Sequence, residues 1–332
     1  MLPHCARLTI LSVLLLPLAG LFALIVRVRR FAYAQGWLAS HAVRVPVIVV
    51  GNITAGGSGK TPLVIWLVDW LRAQGLRPGV ISRGYGGSAR GCVAVRADSH
   101  VAEVGDEPLL IQRKTGVPVV VGRDRVAAAR FLLSHHPEVD MLVSDDGLQH
   151  YRLQRQLEIA VVDAGTGYGN GLPLPAGPLR EPLSRLRDVD AVVQVDRGGR
   201  ANMAPLSAYR ADYTLGQAWR PLAPDEKVEI ASLPQGPWLA VTGIGNPQGF
   251  YTLLTQQGWT FEQLTFPDHH AFTAADIPSG KPVVMTEKDA VKCAAFARPD
   301  WWVLQLVVEP DDAFIAWLQT RIEALRLPSA NK

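Results

Sequence analysis

The run Gly51-Asn-Ile-Thr-Ala-Gly-Gly-Ser-Gly-Lys-Thr61 carries the strongest chemical signal in the chain. It follows Val45-Pro-Val-Ile-Val-Val50, a short apolar stretch suited to a buried strand, and it leads into a helical pattern. Strand, glycine-rich turn and helix in that order form a phosphate-binding loop. Gly56, Gly57 and Gly59 let backbone N–H groups turn toward phosphate oxygens without Cβ clashes, and Thr54, Ala55 and Ser58 fill out the loop. Lys60 would neutralise β- and γ-phosphates, and the Thr61 hydroxyl would ligate Mg²⁺. One departure stands out. Thr54 occupies the position where the strict pattern has its first glycine.

Other residues complete the chemistry of phosphoryl transfer. Met141-Leu-Val-Ser-Asp145-Asp146 is an apolar strand ending in acids, the form that supplies a metal carboxylate. Adjacent side chains on an extended chain point opposite ways, so one of Asp145 and Asp146 is expected to touch the metal directly. Asp106-Glu107 and Asp268-His269-His270 are candidates to activate an acceptor hydroxyl. On pattern alone, an Asp-Glu pair at a helix start more often caps the helix, and a His-His pair on a loop more often sits on solvated surface. Arg83, in Ser82-Arg-Gly-Tyr-Gly-Gly87, and Arg180, before Glu181, put positive charge on loops where sheets of this kind bind ligands.

These groups need a scaffold, and the alternation of patterns provides one. Thr61 to Gln74 reads as a helix closed by Gly75, and residues 106–115 as a helix opened by acids. Residues 79–82, 117–121, 141–144, 159–162 and 191–195 read as strands. The expectation is an α/β fold with a phosphate-loop parallel sheet. Residues 197–237 hold Gly198-Gly199 and five prolines, and read as a crossover or linker. A second α/β unit follows, with strands at 238–242, 282–285 and 303–308 and helices at 247–257 and 312–325. The expected division is an N-terminal helix over 1–30, a phosphate-loop domain over 31–225 and a smaller C-terminal domain over 226–332.

With 332 residues, 48% apolar and 19% charged, the chain is a folded protein long enough for two cores. A net charge of +3 with no basic stripe gives no reason to expect nucleic acid. Cys5, Cys92 and Cys293 are widely spaced and form no zinc or disulfide pattern. From Leu8 to Val26 the chain is almost unbroken hydrocarbon, followed by Arg27, Arg29 and Arg30. This run is just long enough to cross a bilayer, and its basic C-terminal flank would place the remainder in the cytoplasm. Two alternatives stand: a cleaved leader ending near Ala32-Tyr33-Ala34, and an amphipathic or buried helix, since Pro17 and Gly20 weaken a regular span.

Taken together, seven blocks between Val47 and Lys292 resemble the tetraacyldisaccharide 4′-kinases, the lipid A 4′-kinases of Gram-negative outer-membrane biogenesis. They are Gly51–Pro62, Ser82–Gly87, Gly105-Asp-Glu-Pro108, Asp145-Asp-Gly-Leu-Gln-His150, Leu174–Glu181, Phe266-Pro-Asp-His269 and Thr286–Lys292. The irregular first loop position is shared with that family. The resemblance implies an inner-membrane kinase facing the cytoplasm that uses ATP and Mg²⁺. Its acceptor would be the 4′-hydroxyl of a bilayer-embedded lipid A disaccharide 1-phosphate, with no obligatory protein partner. By the same resemblance, Asp106 is the catalytic base, paired with His269, and Asp145 and Asp146 serve the metal. Arg83, Glu107, Arg180, Glu181 and Lys288 would line the substrate site, and closure of the second domain would exclude water.

Two rival functions are weaker. A guanine-reading switch should carry Asn-Lys-x-Asp, but the nearest string, Thr286-Glu-Lys-Asp289, puts Lys and Asp side by side. A kinase for a soluble metabolite would use the N-terminal segment for localisation only, and it would phosphorylate deacylated acceptors as well as acylated ones.

Overall fold

The computed structural model describes residues 5, 7–198, 209–234 and 236–326. At the N-terminus, Thr9 caps α1 (Ile10–Leu14) through a reciprocal Thr9–Ser12 capping box. A break at Leu15 follows, and α2 (Leu16–Ala34) starts with Pro17 in its first turn. The expected spanning run is therefore split. In addition, α2 continues through Arg27, Arg29 and Arg30, so its C-terminal half is not hydrocarbon. Among the described residues, no helix is long and apolar enough to cross a membrane, which corrects the expectation of a full crossing.

Next come β1 (Val47–Gly51), α3 (Lys60–Ala73), β2 (Pro78–Ser82), β3 (Val93–Val95), α4 (Val101–Val104) and α5 (Asp106–Thr115). They are followed by β4 (Val119–Val121), α6 (Arg125–His135), β5 (Met141–Asp145), β6 (Leu157–Asp163) and β7 (Ala191–Asp196). Alternation within β1 assigns its two faces. Ile48 and Val50 join one buried cluster with α3 and α5, while Val47 and Val49 join another with α6. In α3, Leu63, Val64, Leu67, Val68 and Leu71 recur at helical spacing and are all buried. At about 1.5–3 kcal/mol for each side chain, that stripe contributes of order 10 kcal/mol to holding α3 on the sheet. The α6 helix, which has no glycine-loop signal, starts where the Asp124 side chain accepts from the N–H groups of Val126 and Ala127.

The stretch expected as a linker contains two strands instead, β8 (Tyr209–Arg220) and β9 (Ala223–Glu229); residues 199–208 and 235 lie outside the described ones. Polar, weakly alternating residues concealed them, because β9 is an exposed edge strand. The chain then runs β10 (Trp238–Thr242), α7 (Pro247–Gln256), β11 (Phe261–Thr265), β12 (Val283–Thr286), α8 (Glu287–Cys293), β13 (Trp301–Pro310) and α9 (Asp312–Arg326). Among the described residues, thirteen strands join one sheet in the order β11-β10-β12-β13-β8-β7-β6-β1-β5-β2-β4-β3, with β9 on β8. β8 is the seam. It pairs parallel to β7 and antiparallel to β13, so hydrogen bonding passes unbroken from the first unit to the second. The expected boundary at 225/226 falls inside β9, and α9 returns to the first unit, where Phe314, Leu318 and Ile322 enter the cluster beneath α3.

Leu71, fully buried in that cluster, tests the packing. Leu71→Ala should lower unfolding stability by about 2–5 kcal/mol, measured by urea denaturation, with the slope unchanged.

Candidate active site

Gly59 caps α3 in the left-handed region, at φ 78°, so the chain turns from loop to helix where a side chain would be strained. Lys60 is the first helical residue and only 9% exposed. Its Nζ donates to Asn52 Oδ1 at 3.2 Å and lies 3.5 Å from Asp146 Oδ1. Asn52 in turn donates to the Thr54 carbonyl at 2.8 Å. Thr54 bridges to Leu179, and Ala55 N–H donates to the Pro178 carbonyl at 2.7 Å. The irregular loop start is thus braced by the proline-rich 172–181 segment. Thr54 consequently serves to tie the loop down and does not line the cavity.

A cavity of about 480 Å³ opens beside the loop, lined by Ala55 to Thr61 on one side and by Gly245, Asp268, His269 and Lys288 on the other. The two units approach closely here: a methyl placed on Gly57 would sit 3.0 Å from the Gly245 Cα. Across the cavity, His269 Nδ1 lies 3.0 Å from both carboxylate oxygens of Asp106, which is 3% exposed at the first turn of α5. A carboxylate only accepts, so Nδ1 carries the proton in this pair. Burial pushes the Asp106 carboxyl up, but the His269 hydrogen bond and the Lys288 and His269 charges outweigh it and leave the group below its ordinary range. Lys288 sits among three carboxylates, at 2.9 Å from Glu107, 3.3 Å from Asp268 and 3.8 Å from Asp106. Burial acts to lower its pKa, and those neighbouring charges raise it overall.

The two adjacent acids separate as expected. Asp146 lines the cavity and accepts from Arg180 Nη1 at 3.0 and 3.2 Å; against its burial, Lys60 and Arg180 hold it well below the usual carboxylate range. Asp145 is fully buried below, where Ser82 Oγ donates to Oδ2 at 3.0 Å. Burial, then the Glu107 charge, pushes the Asp145 carboxyl up to about 7. Among the described residues its Oδ1 has no hydrogen-bond partner, nor does the buried Ser58 Oγ. Carboxylate and hydroxyl oxygens, one of them an uncompensated buried carboxylate oxygen, are the donors a hard divalent cation takes, so by their chemistry Asp145, Asp146 and Thr61 fit Mg²⁺. Asp146, at φ 49°, and His269, at φ 60°, are the non-glycine residues with positive φ among those described, and both belong to this site.

Three expectations change in position. Glu181, 2% exposed, lies beneath the cavity, where it accepts from Tyr151 Oη and Gln149 Nε2. There it holds those side chains, while Arg180 beside it lines the cavity. Arg83 opens onto a neighbouring polar cavity of about 190 Å³ shared with Arg123. His270 turns away to Asp276, at 3.3 Å. Sequence reasoning missed Asn52, Arg125, Asp163 and Asn246. Arg125, 2% exposed, donates to the carbonyls of Gly122 and Asp145, and burial lowers its pKa to about 10. Asp163 accepts from Arg197 and Asn246. The signal available for it was that β5, β6 and β7 all end in Asp (Asp145, Asp163 and Asp196) at the carboxyl edge where such sheets bind ligands.

Comparison with known proteins agrees with this geometry. The family profile described as tetraacyldisaccharide-1-P 4′-kinase matches residues 11–323. A tetraacyldisaccharide 4′-kinase of Thiobacillus denitrificans is 63% identical over 314 residues, 94% of this chain and 95% of the relative. One from Methylobacillus flagellatus is 47% identical over 318 residues, 95% of this chain and 93% of its own. The crystal structure of LpxK from Aquifex aeolicus in complex with ATP superposes with a TM-score of 0.80 at 28% identity, covering 95% of this chain and 99% of that one.

His150 provides a pH test of the site's floor. Burial, then the Arg125 and Arg83 charges, lowers it from 6.5 to about 4. The unfolded chain then binds the extra proton first, so this group removes stability as pH falls from about 6.5 to about 4. In His150→Gln the urea midpoint should fall less steeply than wild type across that window, with the two curves parallel above it.

Proposed function

The chain belongs to the tetraacyldisaccharide-1-P 4′-kinase family, and from that premise we propose how its own residues divide the reaction. It is an ATP-dependent kinase of lipid A biosynthesis, transferring the γ-phosphate to the 4′-hydroxyl of a tetraacyldisaccharide 1-phosphate. The observation that carries the division of roles is the Asp106–His269 pair, held at 3.0 Å across one cavity from Lys60. The acceptor oxygen attacks the γ-phosphorus, the bond to the β-phosphate oxygen breaks, and the hydroxyl proton passes to the Asp106–His269 pair. Asp106 is the base of that pair, and His269 orients it and shares the charge. Lys60 and the loop amides hold the β- and γ-phosphates, and Arg180 adds charge from the acceptor side. Thr61, Asp145 and Asp146 would hold Mg²⁺, which when bound would supply neutralising charge for the phosphates.

The second unit acts as a lobe that completes the site. It brings His269, and Lys288 is poised to neutralise Glu107 and Asp268 as the lobes meet. Seating His269 only when the lobes are together would restrict hydrolysis of ATP by water.

The membrane reading takes a surface form. On α1 and α2 the small residues Ser12 and Ala19 are buried, whereas Ile10, Leu14, Leu18, Leu21, Leu24 and Ile25 are each more than half exposed. An apolar face of that size, flanked by Arg27, Arg29 and Arg30, fits helices lying in an anionic leaflet, the inner membrane's cytoplasmic side. The tetraacylated acceptor stays in the same plane.

Labelled ATP and purified disaccharide monophosphate, followed by locating the new phosphate, test the reaction. Lys60→Ala should slow transfer by about 10²–10³-fold or more. Asp106→Asn and His269→Ala should each lower kcat by about 10²–10⁴-fold with the ATP KM unchanged, and the double variant should be no slower than the worse single one. Losses that multiply would overturn the paired role. For the membrane, flotation with phosphatidylglycerol vesicles should fall about tenfold in Leu21→Glu/Leu24→Glu, and unchanged flotation would reject the interfacial helices.

A further inference from the structure

Arg197, the first residue after β7, falls outside every motif and has no role in the reaction as divided above. Its side chain lines the same cavity as Gly57, Gly59 and Lys60. Nη1 donates to Asp163 Oδ2, and the guanidinium carbon lies 5.7 Å from the centre of the Tyr213 ring. Tyr213 is itself bound to the phosphate loop, its hydroxyl donating to the Gly59 carbonyl at 2.6 Å. Asp163 is a fixed platform: Oδ1 accepts from the N–H groups of Gly165 and Thr166, at 3.1 and 2.9 Å. From the second unit, Asn246, the cap of α7, donates to the same Asp163 oxygen as Arg197, at 3.2 Å.

The space around this arginine is made by two glycines, one in each unit. A methyl on Gly59 would lie 2.5 Å from Arg197 Nη2, and a methyl on Gly249 would lie 2.4 Å from Arg197 Cδ. Gly59 is required by its own backbone turn. Gly249 is not: it sits in the first turn of α7, where glycine is less stable than alanine by about 1 kcal/mol. Its effect there is to let the guanidinium reach the loop. Guanidinium has five donors, so the bond to Asp163 fixes its plane without exhausting it.

We propose that Arg197 is a second cation for the polyphosphate of the nucleotide, reaching the loop from the β7 side while Lys60 works from within it. Asp163 sets its angle, and Asn246 ties that angle to the position of the second unit. The inference rests on the ATP-site reading given above and adds a phosphate contact to it.

ATP and ADP, with Mg²⁺, are the probes. Arg197→Gln should raise the ATP KM and the ADP dissociation constant together by about tenfold or more, with kcat within about threefold and the acceptor KM unchanged. Arg197→Lys should restore most of that loss. Gly249→Ala, which keeps every charge but displaces Arg197, should move the ATP KM in the same direction. Wild-type ATP KM and ADP affinity in Arg197→Gln would overturn the proposal. So would equal rises in ATP and acceptor KM that Arg197→Lys fails to relieve, the mark of a packing role. If the wild-type protein itself bound no ADP, the phosphate-loop reading would fall first, and the proposal with it.

Discussion

Asp106 and His269 stand 163 residues apart, one in each unit, and meet at 3.0 Å where His269 lines the cavity. A hydrogen bond weakens steeply beyond about 3.5 Å, so the relative placement of the two units must be held within a fraction of an ångström. The unbroken sheet meets that constraint. β8 shares one ladder with β7 and another with β13, and α9 crosses back to pack under α3. The two units therefore share one hydrogen-bonded frame, and the Asp106–His269 pair stands where they meet.

Charge is distributed in the site so that each carboxylate has a different fate. Asp106 is stabilised as an anion by the imidazole and Lys288. Asp146 is held ionised between Lys60 and Arg180. Asp145 is buried with an unpartnered oxygen and a raised pKa, a position that favours a bound cation or a proton. Neighbouring acids with such different environments take different parts in one reaction. The strained φ angles of Asp146 and His269 follow the same logic, since both side chains are aimed at the cavity at the expense of backbone preference.

The N-terminal helices invert the usual rule of burial. Ser12 and Ala19 face the protein and many large apolar residues face outward, so α1 and α2 add almost nothing to the cores yet display a wide apolar surface. Arg30 ties this element to the first unit through Asp188 at 2.6 Å. That contact links the apolar surface to the unit that carries the phosphate loop.

Local features were legible from the residues alone: the phosphate loop at Gly56–Thr61, the acid-ended strand at Asp145, the acidic start of α5 and the strand–helix alternation. Each depends on periodicity or on one turn's chemistry, and these are written within a few neighbouring residues. Among the features that escaped, two have a plain physical cause. β8 and β9 are polar and half-exposed, so no hydrophobic period marked them, and the split at Leu15–Pro17 ended a run whose composition suggested a single helix. Tertiary structure alone decided which distant side chains meet: His269 with Asp106, Lys288 with Glu107, and Arg197 with Asp163 beside Gly59. Those pairings follow from strand order, and strand order is fixed by the burial of whole faces, a property no short segment contains.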